Sequence, residues 1–293
     1  MDVAGSINRL GGIATKAQLE LVGLTGFDLT AAVRRGQIRR VRRAHYSTAA
    51  ATPDALQAVR VGGRLAGVSA AKSFGLWSGF DARLHVALPA NASRLRTNLP
   101  PSVADDITPD ISTRATVLHW VQPSEPGPDC WRVSIDDCVR QVLDWCDYET
   151  AVACLDSART AFAWDDRRIR SIFHGAPSAL RARAAASRAG SDAGTESIVR
   201  QRLLKRGVTV RQQVQISGVG RVDMIVNGTK VVIEIDGRAH HSSDEAFEND
   251  RRRDAELAAR GYIVVRLSFS KIFADWAWCL NAVLNAMTQF RNL

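Results

Sequence analysis

Hydrophobic and polar positions change their period along this chain, and the changes mark out its elements. In the carboxy-terminal third, apolar and polar residues alternate through "TVRQQVQI", "RVDMIV" and "KVVIEID", the period of two that strands show. Ahead of them "TESIVRQRLLKR" reads as a helix stopped by Gly207. Behind them Ser242 with Glu245 forms a capping-box signal, opening a helix that runs through "NDRRRDAELAAR" to Gly261. A strand, "YIVVRLS", follows. A closing helix then presents Phe273, Trp276, Leu280, Val283, Leu284 and Met287 on one apolar face. Helix, three strands, helix, strand, helix is the order of an α/β sandwich with one sheet.

The first fifty residues follow a different rhythm. "SINRLGG" predicts a helix ended by Gly11-Gly12, and "TKAQLELVGL" a second with Thr15 as N-cap. "LTAAVRRGQI" predicts a third, with Leu29, Val33 and Ile38 buried, and "RRVRRAHYST" alternates toward a strand. This order, with a basic ribbon at its end, is that of a winged helix-turn-helix whose third helix enters the major groove. Between 51 and 125 a helical run through "PDALQAVRVGGRLAGVSAAKSFGL" precedes strands at "LHVALP" and "TVLHWV". "VSIDDCVRQVLDWCDYETAVACLDSARTAF" is helical, with Val139, Val142, Leu143 and Cys146 on one face. Arg167 to Gly190 holds six arginines and no acid, predicting a basic helix and linker. The expected organisation is therefore a module at 1–50, a small α/β extension at 51–125, a helical connector at 126–190 and a domain at 191–293.

Composition narrows the setting. The chain has 293 residues, 46% hydrophobic and 24% charged, and no stretch approaches the ~18 apolar residues that span a bilayer. The opening "MDVAGSINRLGG" lacks the apolar core of a secretory signal. Five cysteines, an odd count without a Cys-x-x-Cys pair, fit reduced and mostly buried thiols. These features place the protein in the cytoplasm. The net charge of +9 and pI near 9.9 point to a polyanionic partner, by attraction that is non-specific in itself.

The candidate chemistry lies in the alternating segment. Asn227-Gly228 signals a two-residue hairpin turn, which would pair Met224 with Val231 and Asp223 with Val232. Val222, Met224, Val226, Val231, Ile233 and Ile235 would then share an apolar face, and Asp223, Glu234 and Asp236 the opposite one. Glu234 would lie diagonal to Asp223, roughly 7–8 Å away. Three carboxylates on one face repel and raise one another's pKa. A hard divalent cation, Mg²⁺ or Mn²⁺, relieves that repulsion and can activate water against a phosphodiester. Asp223, Glu234 and Asp236 are the expected metal ligands, with Glu196 reaching in from the preceding helix.

The run from "GTES" through "QQVQISGVGRVDMIV", "VVIEIDGRAHH" and "DRRRDAELAARGYIVVRLS", about residues 194–270, resembles the very-short-patch-repair-endonuclease-like branch of the restriction-endonuclease (PD-(D/E)XK) superfamily. The resemblance implies that Asp223 and Glu234 bind metal with Glu196 assisting. It also brings in Gln213, Asp236, His240 and the Asp250/Arg253 pair. The superfamily's lysine two positions after the second acid is Asp236 here, so Gln213 or an arginine is the candidate to replace it. Arg251, Arg252 and Arg253 fan around half a helix at roughly 100° per residue, and Arg251 and Arg253 are expected phosphate contacts.

"GGIATKAQLELVGLTGFDLTAAVRRGQIRRVRRAHYST" resembles the amino-terminal winged-helix domain of AbiEi-family antitoxins, with "GVSAAKSFGLW" extending the likeness toward residue 125. Arg34, Arg35, Arg39, Arg40, Arg42 and Arg43 would contact DNA phosphates, and Thr25, Asp28 and Thr30 lie near the start of the recognition helix. The fold class expected is α/β (α+β multidomain), with a restriction-endonuclease-like sandwich around one central mixed sheet at the carboxy end. The function expected is a metal-dependent DNA endonuclease. The alternative is a DNA-binding regulator or antitoxin whose nuclease-like domain is inactive. DNA is the expected partner, and a homodimer and a toxin or regulatory protein are further partners this organisation admits.

Overall fold

The computed structural model describes residues 2–93, 95, 115–122, 127–191, 194–236 and 244–292, without the side chains of 244–250. It is a mixed α/β structure divided into two compact units, Met1–Cys146 and Asp147–Leu293. Among the described residues no helix is long and apolar enough to cross a membrane.

The first unit begins with α1 (Val3–Asn8), β1 (Ile13–Thr15), α2 (Lys16–Leu21), α3 (Gly26–Arg34), β2 (Arg39–Arg42) and β3 (His45–Ser47). The local chemistry of the sequence sets these boundaries. Gly11 and Gly12 adopt positive φ after α1, as the paired glycines foretold. Thr15 and Thr25 each head a reciprocal capping box, with Gln18 and Asp28 respectively. Ile7, Leu19, Leu24, Leu29, Ala32 and Ile38 close a core beneath an antiparallel sheet of order β1-β3-β2. Val33 was expected inside but is exposed; Ala32 takes the inward position.

The helical run expected from 53 onward is broken. α4 (Pro53–Val61) ends at a left-handed Gly62, and a Cβ on Gly63 would meet the Ala87 carbonyl oxygen at 2.2 Å. β4 (Arg64–Leu65) therefore fits between α4 and α5 (Gly67–Ser73). β5 (Leu84–Leu88) and β6 (Thr116–Trp120) run parallel in a sheet of order β4-β5-β6, and α6 (Ile135–Trp145) completes the unit.

The second unit opens with α7 (Tyr148–Ala161), α8 (Asp166–Ile172) and α9 (Ser178–Ala185). The helix read as continuous from α6 into α7 stops at Cys146 because the Asp147 carboxylate accepts the Thr150 N–H at 3.0 Å and starts a new one. The stretch expected as a 126–190 connector thus contributes α6 to the first unit and α7–α9 to the second. α10 (Gly194–Leu204) precedes β7 (Val210–Ile216), β8 (Gly220–Val226) and β9 (Val231–Asp236). Then come α11 (Asp244–Ala259), β10 (Ile263–Ser268), α12 (Phe269–Ala274) and α13 (Trp276–Arg291). The expected single closing helix is two, because Asp275 caps α13. Leu284 is outward, and Cys279 and Ala286 join Val283 in the core.

The four strands form one mixed sheet, β10-β9-β8-β7, with β9 and β10 parallel and the other pairs antiparallel. Both faces are covered. Met224, Val226, Val231 and Ile233 pack with Val199, Leu203, Ile272 and Val283. Ile225, Val232, Val222 and Ile216 pack with Leu257 of α11. Each such side chain removed from water contributes about 1.5–3 kcal/mol. Val222 was expected among the first set but sits in the second. The face read as acidic is thus apolar along most of its length, and the carboxylates begin where that second layer ends.

Candidate functional site

The bend between β8 and β9 is longer than Asn-Gly alone suggests. The register pairs Met224 with Ile233 and Ile225 with Val232, two residues away from the pairing expected. Asn227 turns aside to the Thr209 carbonyl (2.9 Å), while the Thr229 hydroxyl accepts the Val231 N–H at 3.0 Å, so four residues fill the loop. A shift of two keeps the paired residues Met224, Ile225, Val232 and Ile233 in alternation as expected, and Val222 alone departs from its expected face. The shift also brings Asp223 directly across from Glu234 instead of diagonal to it. Beyond the Met224–Ile233 pair, an Asp223 carboxylate oxygen accepts the Ile235 N–H at 2.8 Å.

Glu234 is 8% exposed. Burial, and then the negative charge of Asp223, push its carboxyl from the ordinary 4.5 up to about 7. Two arginines oppose this rise. Arg253 of α11 donates from Nη2 to Glu234 Oε1 at 2.7 Å and to the Arg221 carbonyl. Arg266 lies beside Glu234 in the parallel register of β10, and pairs with Asp254 at 2.6 Å and Asp236 at 3.8 Å. Asp236, half exposed, therefore leans toward a guanidinium. Among the described residues no group of three His, Cys, Asp or Glu side chains is gathered to hold a metal. The three-acid convergence expected on this face is a close pair, Asp223 and Glu234, with an arginine-bound neighbour.

Glu196, in the first turn of α10, is buried and accepts the Gln213 Nε2–H at 2.9 Å. Gln213 itself has φ +50, a left-handed conformation that costs a non-glycine residue of order 1–3 kcal/mol. Its register neighbours, Gln212–Met224 and Val214–Val222, set Gln213 across β7 and β8 from Asp223. Its Oε1 is buried without a hydrogen-bond partner. Two carboxylates and an unsatisfied amide oxygen are hard donors, the type that suits Mg²⁺ or Mn²⁺, so the residues present fit such an ion. His240, His241 and the Ser242 cap lie outside the described residues, as do the side chains of Glu245 and Asp250.

A buried network braces the helix that carries Glu196. Asp156 of α7, fully buried, accepts from Ser197 Oγ (2.6 Å), Arg200 Nη2 (2.7 Å) and the Arg188 N–H (2.7 Å). Burial raises its carboxyl despite Arg200. The sequence reading missed Asp156, Asp254 and Arg266. An arginine inside the apolar strand "YIVVRLS" was the one available signal.

In the first unit, Arg34, Arg35, Arg39, Arg40 and Arg43 are exposed on α3, β2 and the turn that follows it. Arg42 is half-buried and donates from Nη1 to the Val59 carbonyl at 3.3 Å. At the start of α3 the Thr25 hydroxyl donates to Asp28 at 2.6 Å and the Thr30 hydroxyl to the Gly26 carbonyl at 2.8 Å. Those side chains serve the helix itself. In the second unit Arg251 is exposed and Arg253 half-buried.

Residues 196–287 match the family model REase_MTES_1575, a restriction-endonuclease-like family. That match spans α10 to α13 and supports a nuclease at the carboxy end, with DNA as the substrate such a domain implies. Among solved structures the chain is similar to the catalytic domain of the homing endonuclease I-Bth0305I. The identity is 19% over 33% of this chain and 95% of that one, with a TM-score of 0.29. No curated protein matches the chain.

Proposed function

We propose that this protein is a metal-dependent DNA endonuclease that hydrolyses a phosphodiester at the Asp223–Glu234 pair. The observation that carries the reading is the juxtaposition of a buried Glu234 and a partly buried Asp223, whose charge helps raise the Glu234 carboxyl, within the restriction-endonuclease-like segment. Asp223 and Glu234 would hold Mg²⁺ or Mn²⁺. The ion, when bound, would supply water activation and neutralise charge on the leaving oxygen.

The surrounding side chains have matching roles. Gln213, held by Glu196, keeps a buried amide oxygen without a hydrogen-bond partner, which would serve the ion or the phosphate. Arg253 would exchange Glu234 for a phosphate oxygen when substrate arrives, supplying from α11 the cation that the superfamily's lysine would bring at the position of Asp236. Asp236 pairs with Arg266 beside them, and His240 joins the site residues on the family resemblance alone. Residues 1–50 act in this reading as a winged-helix targeting module, with 51–125 as its extension and 191–293 as the nuclease domain. Arg34, Arg35, Arg39, Arg40 and Arg43 follow the phosphates. Kinship with very-short-patch-repair endonucleases at one end and AbiEi-type antitoxins at the other is part of the same proposal.

A second reading is a DNA-binding regulator or antitoxin whose nuclease-like domain is inactive. The contact that favours it is Arg253 on Glu234 at 2.7 Å, which already satisfies one of the two acids.

Nicking of supercoiled plasmid separates the two. Conversion to open circle in Mg²⁺ or Mn²⁺, abolished by EDTA and by Glu234→Ala, is expected of the endonuclease. No conversion with any divalent metal would leave the regulator, and activity that survives Glu234→Ala would belong to a contaminant.

A further inference from the structure

Beneath the basic ribbon of the first unit lie two neighbouring hollows with Arg42, Gly62 and Pro89 in both walls. The outer one, about 360 Å³, is rimmed by Arg42, Arg43 and Arg60. The inner one, about 270 Å³, is walled by Arg64, His45 and apolar residues that include Leu88, Val121 and Val133. Each is near the lower end of the ~300–1,000 Å³ typical of small-ligand sites. No carboxylate lines either hollow among the described residues.

The arginines are built into place. Arg42 Nη1 donates to the Val59 carbonyl at 3.3 Å, and Arg60 Nη1 to the Val41 carbonyl at 3.5 Å. This reciprocal clasp joins β2 to α4. Gly62, at φ +117, allows it: a Cβ there would sit 2.9 Å from Arg42 Nη1. Among the described residues no carboxylate pairs with Arg42, Arg43 or Arg64. His45 is held toward its neutral form, first by burial and then by the charges of Arg42 and Arg64. The guanidinium groups of Arg42, Arg43 and Arg64 thus border a concavity that no carboxylate among the described residues lines. Such a site attracts an anion far more strongly than the same charges spread over a convex face.

From these walls we infer that the amino-terminal unit binds a nucleoside phosphate, its phosphate against Arg42, Arg43 and Arg60 and its flat base in the half-apolar inner hollow beside Arg64. The outer hollow alone would suit any small phosphate. The apolar inner wall selects a ligand with a ring to bury. A duplex backbone is disfavoured because Arg42 points into α4 and not out from the ribbon. This inference concerns a site separate from the Asp223–Glu234 pair and stands or falls independently of it.

Isothermal titration of the full-length protein with pyrophosphate, AMP, ATP and adenosine tests the inference. Pyrophosphate and both nucleotides are expected to bind at one per chain, the nucleotides more tightly, with adenosine weaker by tenfold or more. Arg64→Gln and Arg42→Gln should each weaken AMP by about tenfold, the loss of one charged hydrogen bond. Should Arg42→Gln fail to fold, Arg43→Gln on the exposed rim and the peptide labelled by 8-azido-ATP decide. Label confined to residues 42–64 supports the site. No binding of any phosphate, binding unchanged in the variants, label elsewhere, or Arg42-dependent binding of duplex DNA without nucleotide binding would overturn it.

Discussion

Replacing Glu234 by glutamine should change the sign of its effect on stability with pH. The wild-type carboxyl is raised from 4.5 to about 7 in the folded state, so the folded chain keeps this proton to higher pH than the unfolded chain does. Below about pH 4.5 the group imposes no ionisation cost. As pH rises through 7 the folded state must hold a buried anion beside Asp223, and stability falls. At ~1.4 kcal/mol for each tenfold, the gap amounts to about 3 kcal/mol at pH 8.5. Glutamine removes that cost but weakens the contact from Arg253, at about 1 kcal/mol. Glu234→Gln is then expected to be about 2 kcal/mol more stable than wild type at pH 8.5, nearly equal to it at pH 5 and about 1 kcal/mol less stable at pH 4. For a unit of this size the gain is about 4–8 °C in Tm. Thermal unfolding followed by circular dichroism from pH 4 to 8.5 measures it. A Tm difference that stays flat across that range would refute the reasoning. Saturating Mg²⁺ at pH 8.5 should raise the Tm of wild type, by about 2.7 kcal/mol of stability at a hundred times Kd, and leave the variant unmoved.

Three further outcomes follow from other contacts. Gln213→Ala should slow plasmid nicking by roughly 10- to 100-fold, the value of a hydrogen bond to a charged group; rates equal to wild type would remove Gln213 from the site. Arg35→Gln with Arg40→Gln should flatten the log–log dependence of DNA affinity on salt by about 2, near one for each phosphate released; an unchanged slope in fluorescence anisotropy would take the ribbon away from DNA. Asp156→Ala leaves Arg200 charged in a buried interface and should cost about 3–5 kcal/mol, read as a lowered midpoint in urea; a loss under 1 kcal/mol would mean that the network is dispensable.

Much of the carboxy-terminal unit was legible because its signals are local. Gly207, Gly261 and the alternation through "RVDMIV" and "KVVIEID" act within a few residues of where they stand, and the observed strands differ from the sequence segments by one residue at most. The register escaped because hydrogen bonds from Asn227 and Thr229 lengthened the turn, and the dipeptide alone does not encode these. Its faces, Val222 apart, survived because the error was even. The helix breaks at Asp147 and Asp275 were hidden for a related reason: an aspartate in a helical pattern looks like a surface residue until it is seen to cap. Arg253 and Arg266 meet the acids across elements far apart in sequence. Periodicity carries no information about such encounters, and it was the resemblance that brought Arg253 into view.

The recognisable segment is not a portable one. It starts at residue 196, two residues into α10, yet the acid that compensates Arg200 and fixes Ser197 belongs to α7, some forty positions earlier. A gene fragment cut at the family boundary would carry the guanidinium and lose its counter-charge, exposing to water the helix flank behind Glu196. Any graft of this nuclease-like body onto another protein must bring along the helical pair that family likeness leaves out, or provide a substitute for it.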